Sequence, residues 1–573
     1  MATTQWVDHS IRCGKKRSHY RTLHTRLETF CSATWSRMWV ISTDDVLELH
    51  AMRPHQELVA ERLVQIYQPE LDPVTFVSHE WSGLQHPDPQ KKQLYALQKA
   101  LRGFRDHSLK LIYDPVALMR RYQKNVGYSD LQEMAKGWLW IDFMCIPQEC
   151  ACWSDEAKQE QEQFLRDAIR SLHTYVAHSS FFLILAPAQH HEKGRLMDYT
   201  SWKSRGWCQF ELTVNVLMGG RAPVIMVQGL GSVKKVSPRI FLHFAPCLAE
   251  FTKEEDKLFI SDALDQVINA QVAHLRTFGE VHRLQMLECL RALLTRRTGD
   301  LTLFKRLSRT GSLAYMASRA KCVTYKGWTQ LHYAAARSDK EAVTRMLGIC
   351  ECVEAQTRQS DRDLFLGTSL TPLHMWAAFS FNADIAKLLL QAHALVDRRA
   401  SEGLTPLMIA CRTGNTNACR TLLEMIADPN AEDCMGCRPL TFALANDAEH
   451  LVEPLLNARA DVTHQWAGLS ALHFLGLTSS ANSLERLLGE GLEINTVCHF
   501  NRWSKAGPYI VFGQLRSSTL RRLFSLGQGS TPVLAAAALG NAKVVETLSR
   551  AGADMTARNA AGLDIHQRLG QRE

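Results

Sequence analysis

The sequence predicts a multidomain chain in which an α/β domain, a helical connector and an all-α solenoid follow one another. Three observations carry that reading. A Thr-Pro-Leu motif returns at near-regular intervals through the C-terminal half. Short apolar runs alternate with helical stretches between about 72 and 228, and leucines recur at helical spacing in the residues that follow. At 573 residues the chain is long enough for three or four domains, each with its own core.

The solenoid rests on the motif Leu-Thr-Pro-Leu-His-Met-Trp-Ala-Ala at Leu370 to Ala378. Copies begin at Trp328, Leu404, Cys437, Leu469 and Ser530, with a weak one at Leu563-Asp564. Counted at positions 329, 371, 405, 438, 470, 531 and 564, the spacings are 42, 34, 33, 32, 61 and 33 residues. This pattern resembles the ankyrin-repeat family over about residues 326–570, within a domain taken as 326–573. The residue types suit it: Thr caps a short helix, Pro occupies the first helical position, and the Ala pair allows close packing on a second helix. That second helix is supplied by runs such as Ile385 to Leu390 and Val544 to Leu548, and Gly552 permits a turn. Six repeats are recognisable and a weak one is terminal. The long spacings predict an insertion around Glu351 to Leu366, and a degraded repeat with an insertion around Cys498 to Gly527. Such stacks present a continuous surface, so the resemblance implies a protein partner.

Apolar residues make up 46% and charged residues 22%, as in ordinary globular proteins. Lys plus Arg number 66 against 58 Asp plus Glu, and a net charge of +8 over this length implies no dominant polyanion partner. The longest apolar run, Phe181 to Ala188, is too short to span a bilayer, and the first residues lack a secretory pattern. No membrane association is expected. The expected location is cytoplasmic, with the nucleus as the alternative. Sixteen scattered Cys fit a reducing compartment. Cys434 and Cys437, Cys350 and Cys352, and Cys145 with Cys150 and Cys152 are closely spaced, yet each group lacks a matching second pair, so no metal site is expected.

Residues 1–70 read as a basic extension with a helix. Arg12, Lys15, Lys16, Arg17, Arg21 and Arg26 form a cluster open to nuclear import or phosphate contact, but a solvated surface is the simpler reading and nucleic acid is not the expected partner. Ser42 to Asp45 reads as a helix start, and Leu58, Leu63 and Ile66 give one face to a helix near 55–67.

Residues 71–228 read as the α/β domain. Buried parallel strands are expected at 74–78, 138–143, 181–185 and 223–227, with helices near 90–103, 160–177 and 206–217. Polar motifs follow three of the strands: Ser78-His79-Glu80-Trp81, Asp142 to Gln148, and Arg205 to Leu212. Ligands of open parallel sheets gather at the carboxyl ends of strands, which makes these motifs one candidate cleft.

The run Trp140-Ile141-Asp142-Phe143-Met144-Cys145-Ile146-Pro147-Gln148 resembles the fungal heterokaryon-incompatibility (HET) domain, with Pro147 in place of the usual Asn. Trp207-Cys208-Gln209-Phe210-Glu211-Leu212 is similar to the Trp-Cys-x-x-Glu of Toll/interleukin-1 receptor (TIR) domains. Together the resemblances imply a flavodoxin-like α/β module that self-associates. In TIR domains that cleave NAD, the glutamate of this motif is catalytic, which maps onto Glu211. One carboxylate against the ribose would stabilise the oxocarbenium-like centre left by nicotinamide. Arg205 would meet a phosphate or carboxylate, Trp207 or Trp81 would stack on a flat ring, and Ser78 and Asp142 would complete the NAD site. Beside this stands a plain alternative, in which Glu211 pairs with Arg205 at the helix start and the tryptophans are core. No cofactor is required by either reading, and NAD enters only as a substrate.

Residues 229–325 read as a helical connector. Thr252 to Glu255 has the pattern of a capping box, helices are expected near 253–276 and 280–297, and Leu284, Leu287, Leu290, Leu293 and Leu294 form a broad face. The face suits packing on the α/β domain, capping of the repeat stack, or pairing with another chain.

The expected whole is a signalling or scaffold protein whose repeats bind a protein partner and position the α/β module. Its alternative is an NAD glycohydrolase acting through Glu211.

Overall fold

Val74, Phe76 and Val77 are fully buried in one strand, and that strand is the centre of an eight-stranded sheet. The computed structural model describes residues 37–68, 73–109, 111–113, 126–148, 155–217, 222–229, 232–236, 246, 249–252, 254–277, 281–295, 327–349, 353–358, 366–446, 448–477, 483–499, 528–539, 541–560, 562 and 564–565. The basic cluster at Arg12 to Arg26 lies outside them.

The strands are β1 (Trp39–Ser42), β2 (Val64–Ile66), β3 (Val74–His79), β4 (Ile112–Tyr113), β5 (Trp138–Trp140), β6 (Phe181–Leu185), a small hairpin of β7 (Gln189–His190) and β8 (Leu196–Met197), β9 (Val224–Gly229) and β10 (Ser232–Lys235). The sheet order is β2-β1-β5-β3-β6-β9-β10-β4, and β5, β3, β6 and β9 run parallel. All four parallel strands fall where continuous apolar runs predict them, because a strand covered on both faces needs no polar alternation. Phe76 is in register with Trp140 on one side and Phe182 on the other, and the rings stack at centroid distances of 4.4 and 5.5 Å. Aromatic cross-strand neighbours of this kind add to the sheet beyond their buried area.

The helices of this part are α1 (Thr43–Glu48), α2 (His55–Ala60), α3 (Lys92–Arg105), α4 (Tyr128–Lys136), the single turn α5 (Asp142–Cys145), α6 (Asp155–His178), α7 (Tyr199–Ser204) and α8 (Gly206–Leu217). Two expectations change. The helix near 55–67 ends at Ala60, and Val64–Ile66 is instead a strand. β1 pairs antiparallel with both β2 and β5, so residues 39–66 are part of the sheet and not an extension ahead of it.

Among the described residues the connector has two helices, α9 (Asp256–Thr277) and α10 (Val281–Thr295). Thr252 does not cap the helix; its hydroxyl accepts from Arg205 Nη2 at 2.5 Å, and the helix starts at Asp256. α9 packs on α8 and on α10. His282 of α10 meets the Tyr333 hydroxyl at 2.7 Å, against the first helix of the array. The connector thus packs on the α/β domain and on the first repeat at once.

Six helix pairs follow among the described residues: α11 (Gln330–Ala336) with α12 (Lys340–Ile349), α13 (Pro372–Phe379) with α14 (Ala383–Gln391), α15 (Pro406–Thr413) with α16 (Thr416–Glu424), α17 (Pro439–Ala445) with α18 (Val452–Asn457), α19 (Ala471–Leu477) with α20 (Leu484–Gly489), and α21 (Pro532–Leu539) with α22 (Ala542–Arg550). The degraded repeat and insertion expected around Cys498 to Gly527 fall, from residue 500 to 527, outside the described residues. α19 packs directly on α21, and His473 Nε2 reaches the Ser530 carbonyl at 2.9 Å, which leaves no layer between them.

The threonines act differently from the plain cap expected. Thr405 does cap, accepting from Met408 N at 3.3 Å. Where histidine stands at the fourth position, its Nδ1 takes the hydroxyl instead, at 2.8 Å for Thr329–His332, Thr371–His374 and Ser470–His473. The same nitrogen accepts the cap residue's backbone N–H at 3.1, 3.1 and 3.3 Å. Nε2 then donates to the next repeat, at Leu370 O and Leu404 O, both 3.0 Å, and at Ser530 O. Each ring is a neutral staple between repeats. Burial holds all three histidines down to about 4.

Candidate functional site

The parallel strands occur in the chain as β3, β5, β6 and β9 but in the sheet as β5, β3, β6 and β9, so successive connections leave β3 toward opposite sides. A crevice at the carboxyl ends of β3 and its neighbours is the position such a reversal creates. Ser78 and His79 end β3, Glu80 and Trp81 follow it, and Asp142 begins the turn that follows β5. The three motifs singled out in the sequence do converge there.

Asp142 is held from three directions. His79 Nε2 meets Oδ1 at 2.7 Å, Phe143 N donates to Oδ1 at 2.6 Å, and Trp81 Nε1 donates to Oδ2 at 2.9 Å. Its side chain remains 36% exposed. Burial opposes its charge, but the His79 charge and these donors outweigh it and hold the carboxyl below its ordinary range. On the other side of the ring, His79 Nδ1 meets Gln93 Oε1 at 2.9 Å. The Gln93 amide nitrogen is committed to the carbonyls of Glu80 and Pro87 at 2.9 and 3.1 Å, which fixes its oxygen toward the histidine. Burial works against an imidazolium here too, yet the adjacent Asp142 raises His79 above the usual imidazole value. His79 is the residue that sequence reasoning missed. The signal was a histidine between two chosen neighbours at a strand end, and neither Gln93 nor Asp142 is near enough in sequence to mark it.

Glu211 lies behind this cluster. Its carboxyl hydrogen-bonds Ser78, while Oε2 is sealed from solvent without a partner. Burial, with the nearby Asp142 charge, pushes it up to about 8. It does not pair with Arg205, contrary to the plain alternative. Arg205 turns to Glu80, at 3.7 Å from its Oε1, and to Thr252. Glu80 is buried and also takes Arg195 Nη2 at 2.5 Å and the Ser201 hydroxyl at 2.6 Å.

Two expected ligand contacts face elsewhere. Ser78 is 1% exposed and its hydroxyl accepts from Trp202 Nε1 at 3.1 Å, so it supports the crevice from beneath. Trp207 donates from Nε1 to Asp256 at 2.9 Å and packs its ring on Phe259 of α9, so it joins the α/β domain to the connector. Trp81, by contrast, stays half-buried at the crevice, edge-on to Phe143. The motif cysteines are interior: burial pushes Cys145 up to about 12 and Cys208 well above its ordinary value. Cys434 is exposed and Cys437 buried, in a turn entering a repeat. Among the described residues no helix is long and apolar enough to cross a membrane.

A family model for ankyrin repeats in three copies matches residues 331–433 and 374–466, and a single-repeat model matches 528–560. The chain is 31% identical over 150 residues to human SH3 and multiple ankyrin repeat domains protein 2, covering 25% of this chain and 8% of that protein. It is 31% identical over 116 residues to human ankyrin repeat domain-containing protein 63, covering 19% and 30%. Over 88 residues it is 39% identical to the Drosophila melanogaster ankyrin repeat and KH domain-containing protein mask, covering 15% and 2%. The chain therefore spans less than a third of the length of these relatives. Among solved structures, the Bcl-3 ankyrin repeat domain aligns at 20% identity and TM-score 0.32 over 43% of this chain and 98% of that one. An ankyrin repeat domain from Acinetobacter baumannii aligns at 26% and 0.28 over 35% and 92%. The C-terminal half of the chain carries ankyrin repeats.

Proposed function

We propose that the repeats bind a protein partner and position the α/β module, so that the chain acts as a signalling or scaffold protein. The observation that carries this is the connector: α9 seats on α8 through Trp207, and α10 seats on the first repeat through His282. Whatever the array binds is thereby held at a set place relative to the crevice. The strand order 2-1-3-4 of the parallel strands supports a flavodoxin-like module, the class to which the TIR and HET resemblance points. Self-association of that module is part of the same proposal. The turns after α14 and α16 bear Leu395 at 54% and Ile426 at 88% exposure, two apolar side chains left in solvent at the edge of successive repeats. Affinity capture with the full-length chain and with a Leu395→Glu, Ile426→Glu variant tests the array. A partner held by the first and lost by the second is expected; a partner held equally by both removes this edge as the binding surface.

A second reading, NAD glycohydrolysis, is favoured by one observation: Glu211 is free of Arg205 and stands with Asp142 and His79 at the crevice. Purified full-length protein incubated with NAD, dilute and crowded, should release nicotinamide, and Glu211→Ala should reduce the release. Absence of nicotinamide from every assembled form would leave the scaffold reading alone.

A further inference from the structure

The array is attached to the rest of the chain at both of its ends. At the first end α10 packs on α11 and on α13, the first helices of two successive repeats, so it lies across the stack. Its His282 ring stands 4.8 Å from Trp328, and Cys289 Sγ donates to the Tyr333 carbonyl at 3.8 Å. The last two residues of α13, Ala378 and Phe379, and of α15, Arg412 and Thr413, are buried. Their counterparts in the next repeat, Ala445 and Asn446, are half-buried. A surface helix keeps one face in water, and Arg412 would keep its charge there, so the face of these early repeats is covered. At the other end Lys234 Nζ of β10 donates to Asn541 Oδ1 at 3.2 Å. Asn541 precedes α22 as Asn382 precedes α14 and Asn415 precedes α16. Those two side chains accept from their own helices, at Asp384 N and Ala418 N, at 3.0 and 3.1 Å. The Asn541 side chain makes no such cap; its oxygen is turned to the sheet of the α/β domain instead.

We propose that the array is a clasp closed on its own α/β domain: the first-helix face of the early repeats seats the connector, and Lys234 with Asn541 latches the last repeat to β10. A solenoid held at both ends to one body keeps one curvature, and release of one end lets it flex about the other. The two ends differ in strength. α10 is held by helix packing, whereas among the described residues no element of the α/β domain packs broadly on α21 or α22. The β10 end is therefore the one that opens, and its charge-assisted bond from an ammonium to an amide oxygen is the latch. A protein partner that takes the first-helix face has to displace the chain's own connector and open the clasp. Leu395 and Ile426 stay in solvent while it is closed, so a partner seated on that edge leaves the latch intact. These consequences rest on the reading of the array as a partner-binding surface; the latch itself does not.

Hydrogen exchange of the full-length protein, with no partner added, tests the latch in wild type, Lys234→Ala, Asn541→Ala and the double variant. Lys234 belongs to the α/β domain, so its loss reaches α22 only through the contact. Lys234→Ala should speed exchange at the Val545 amide, which bonds the Asn541 carbonyl in the first turn of α22, by about five- to tenfold. The amides of α13 to α16 should exchange as in wild type. Asn541→Ala should speed exchange in β10 by a similar factor, and in the double variant α22 should exchange as it does in Asn541→Ala alone. Lys234→Arg, which keeps a donating cation, should stay within about twofold of wild type. Small-angle scattering should show a larger maximum dimension for Lys234→Ala. Exchange of α22 equal in Lys234→Ala and wild type, or increments that add in the double variant, overturns the proposal. If Lys234→Ala also loosens α13 to α16, the loss is one of folding and β10 in Asn541→Ala decides: exchange there as in wild type refutes the latch. With no partner present, failure of the array to capture a protein counts against the scaffold reading and leaves these outcomes standing.

Discussion

His374 in the array and His79 in the α/β domain are both buried, yet their ring nitrogens meet different partners and call for different charge states. In the array one ring nitrogen meets a hydroxyl and a backbone N–H while the other meets a carbonyl, so a neutral ring satisfies every partner. In the crevice both nitrogens meet oxygens that can only accept, one of them a carboxylate, so only the charged ring does. Burial opposes charge in both places. What differs is the second partner, and it turns the same side chain from a structural staple into a holder of charge.

That difference predicts opposite responses to pH. The array histidines have folded values near 4, below the ordinary 6.5, so their stabilisation is complete above about 6.5 and is lost as pH falls toward 4. Each contributes about 3 kcal/mol over that window, and the three act in one stack, so acid should melt the array first. Circular dichroism during titration from pH 7 to 4 measures this; a helical signal unchanged at pH 4 would deny the neutral-staple description.

A sharper break comes from one staple. His374→Ala strands a buried Thr371 N–H and a Leu404 carbonyl, and should cost about 2–4 kcal/mol in denaturant unfolding. Met408 occupies the same position one repeat later and its Sδ accepts only from Thr405 N, at 3.5 Å, so Met408→Ala should cost less for its polar contacts.

Backbone geometry gives the next largest effect. Gly327, Gly403, Gly468 and Gly529 stand two residues before each cap with φ from +72° to +89°. At Gly468 an added Cβ would also fall 2.1 Å from the His499 carbonyl oxygen. Gly468→Ala should therefore cost about 2 kcal/mol or more, while Gly552→Ala, at φ +90° in open space, should cost only about 1 kcal/mol. Equal losses in thermal unfolding would contradict the clash.

The smallest effect lies on the alkaline side. His79 is raised above 6.5, so its contribution is present below that value and is lost as pH rises through the folded value. The α/β domain should lose stability on this limb, where the array is unaffected, and hydrogen exchange of β3 amides followed with rising pH reports it.

Legibility followed the range of the interactions. The repeats and the helix at Gly206–Leu217 were readable because caps, prolines and apolar spacing act within a few residues. The parallel strands were readable because burial on both faces leaves a continuous apolar run. β2 was not: three residues carry no period, and the pairing that makes Val64–Ile66 a strand comes from Trp39 to Ile41. The degraded repeat was an inference from spacing alone, and spacing does not say that the repeat at Ser470 would dock directly on the one at Thr531. Of the site, Asp142, Trp81 and Glu211 converge as expected, while Ser78 and Trp207 turn inward or toward the connector, because their partners Trp202 and Asp256 lie far along the chain.

By itself the sequence determined which half is repetitive, where the repeats' helices start, and which strands are buried, since these depend on local capping and on hydrophobic transfer. Only the tertiary structure decided that α19 stacks directly on α21, that Arg205 pairs with Glu80 rather than Glu211, and that both ring nitrogens of His79 meet oxygens. Each of those turns on which group occupies a hydrogen-bonding position contributed by another element, and a lone pair left empty or filled is a property of three-dimensional approach.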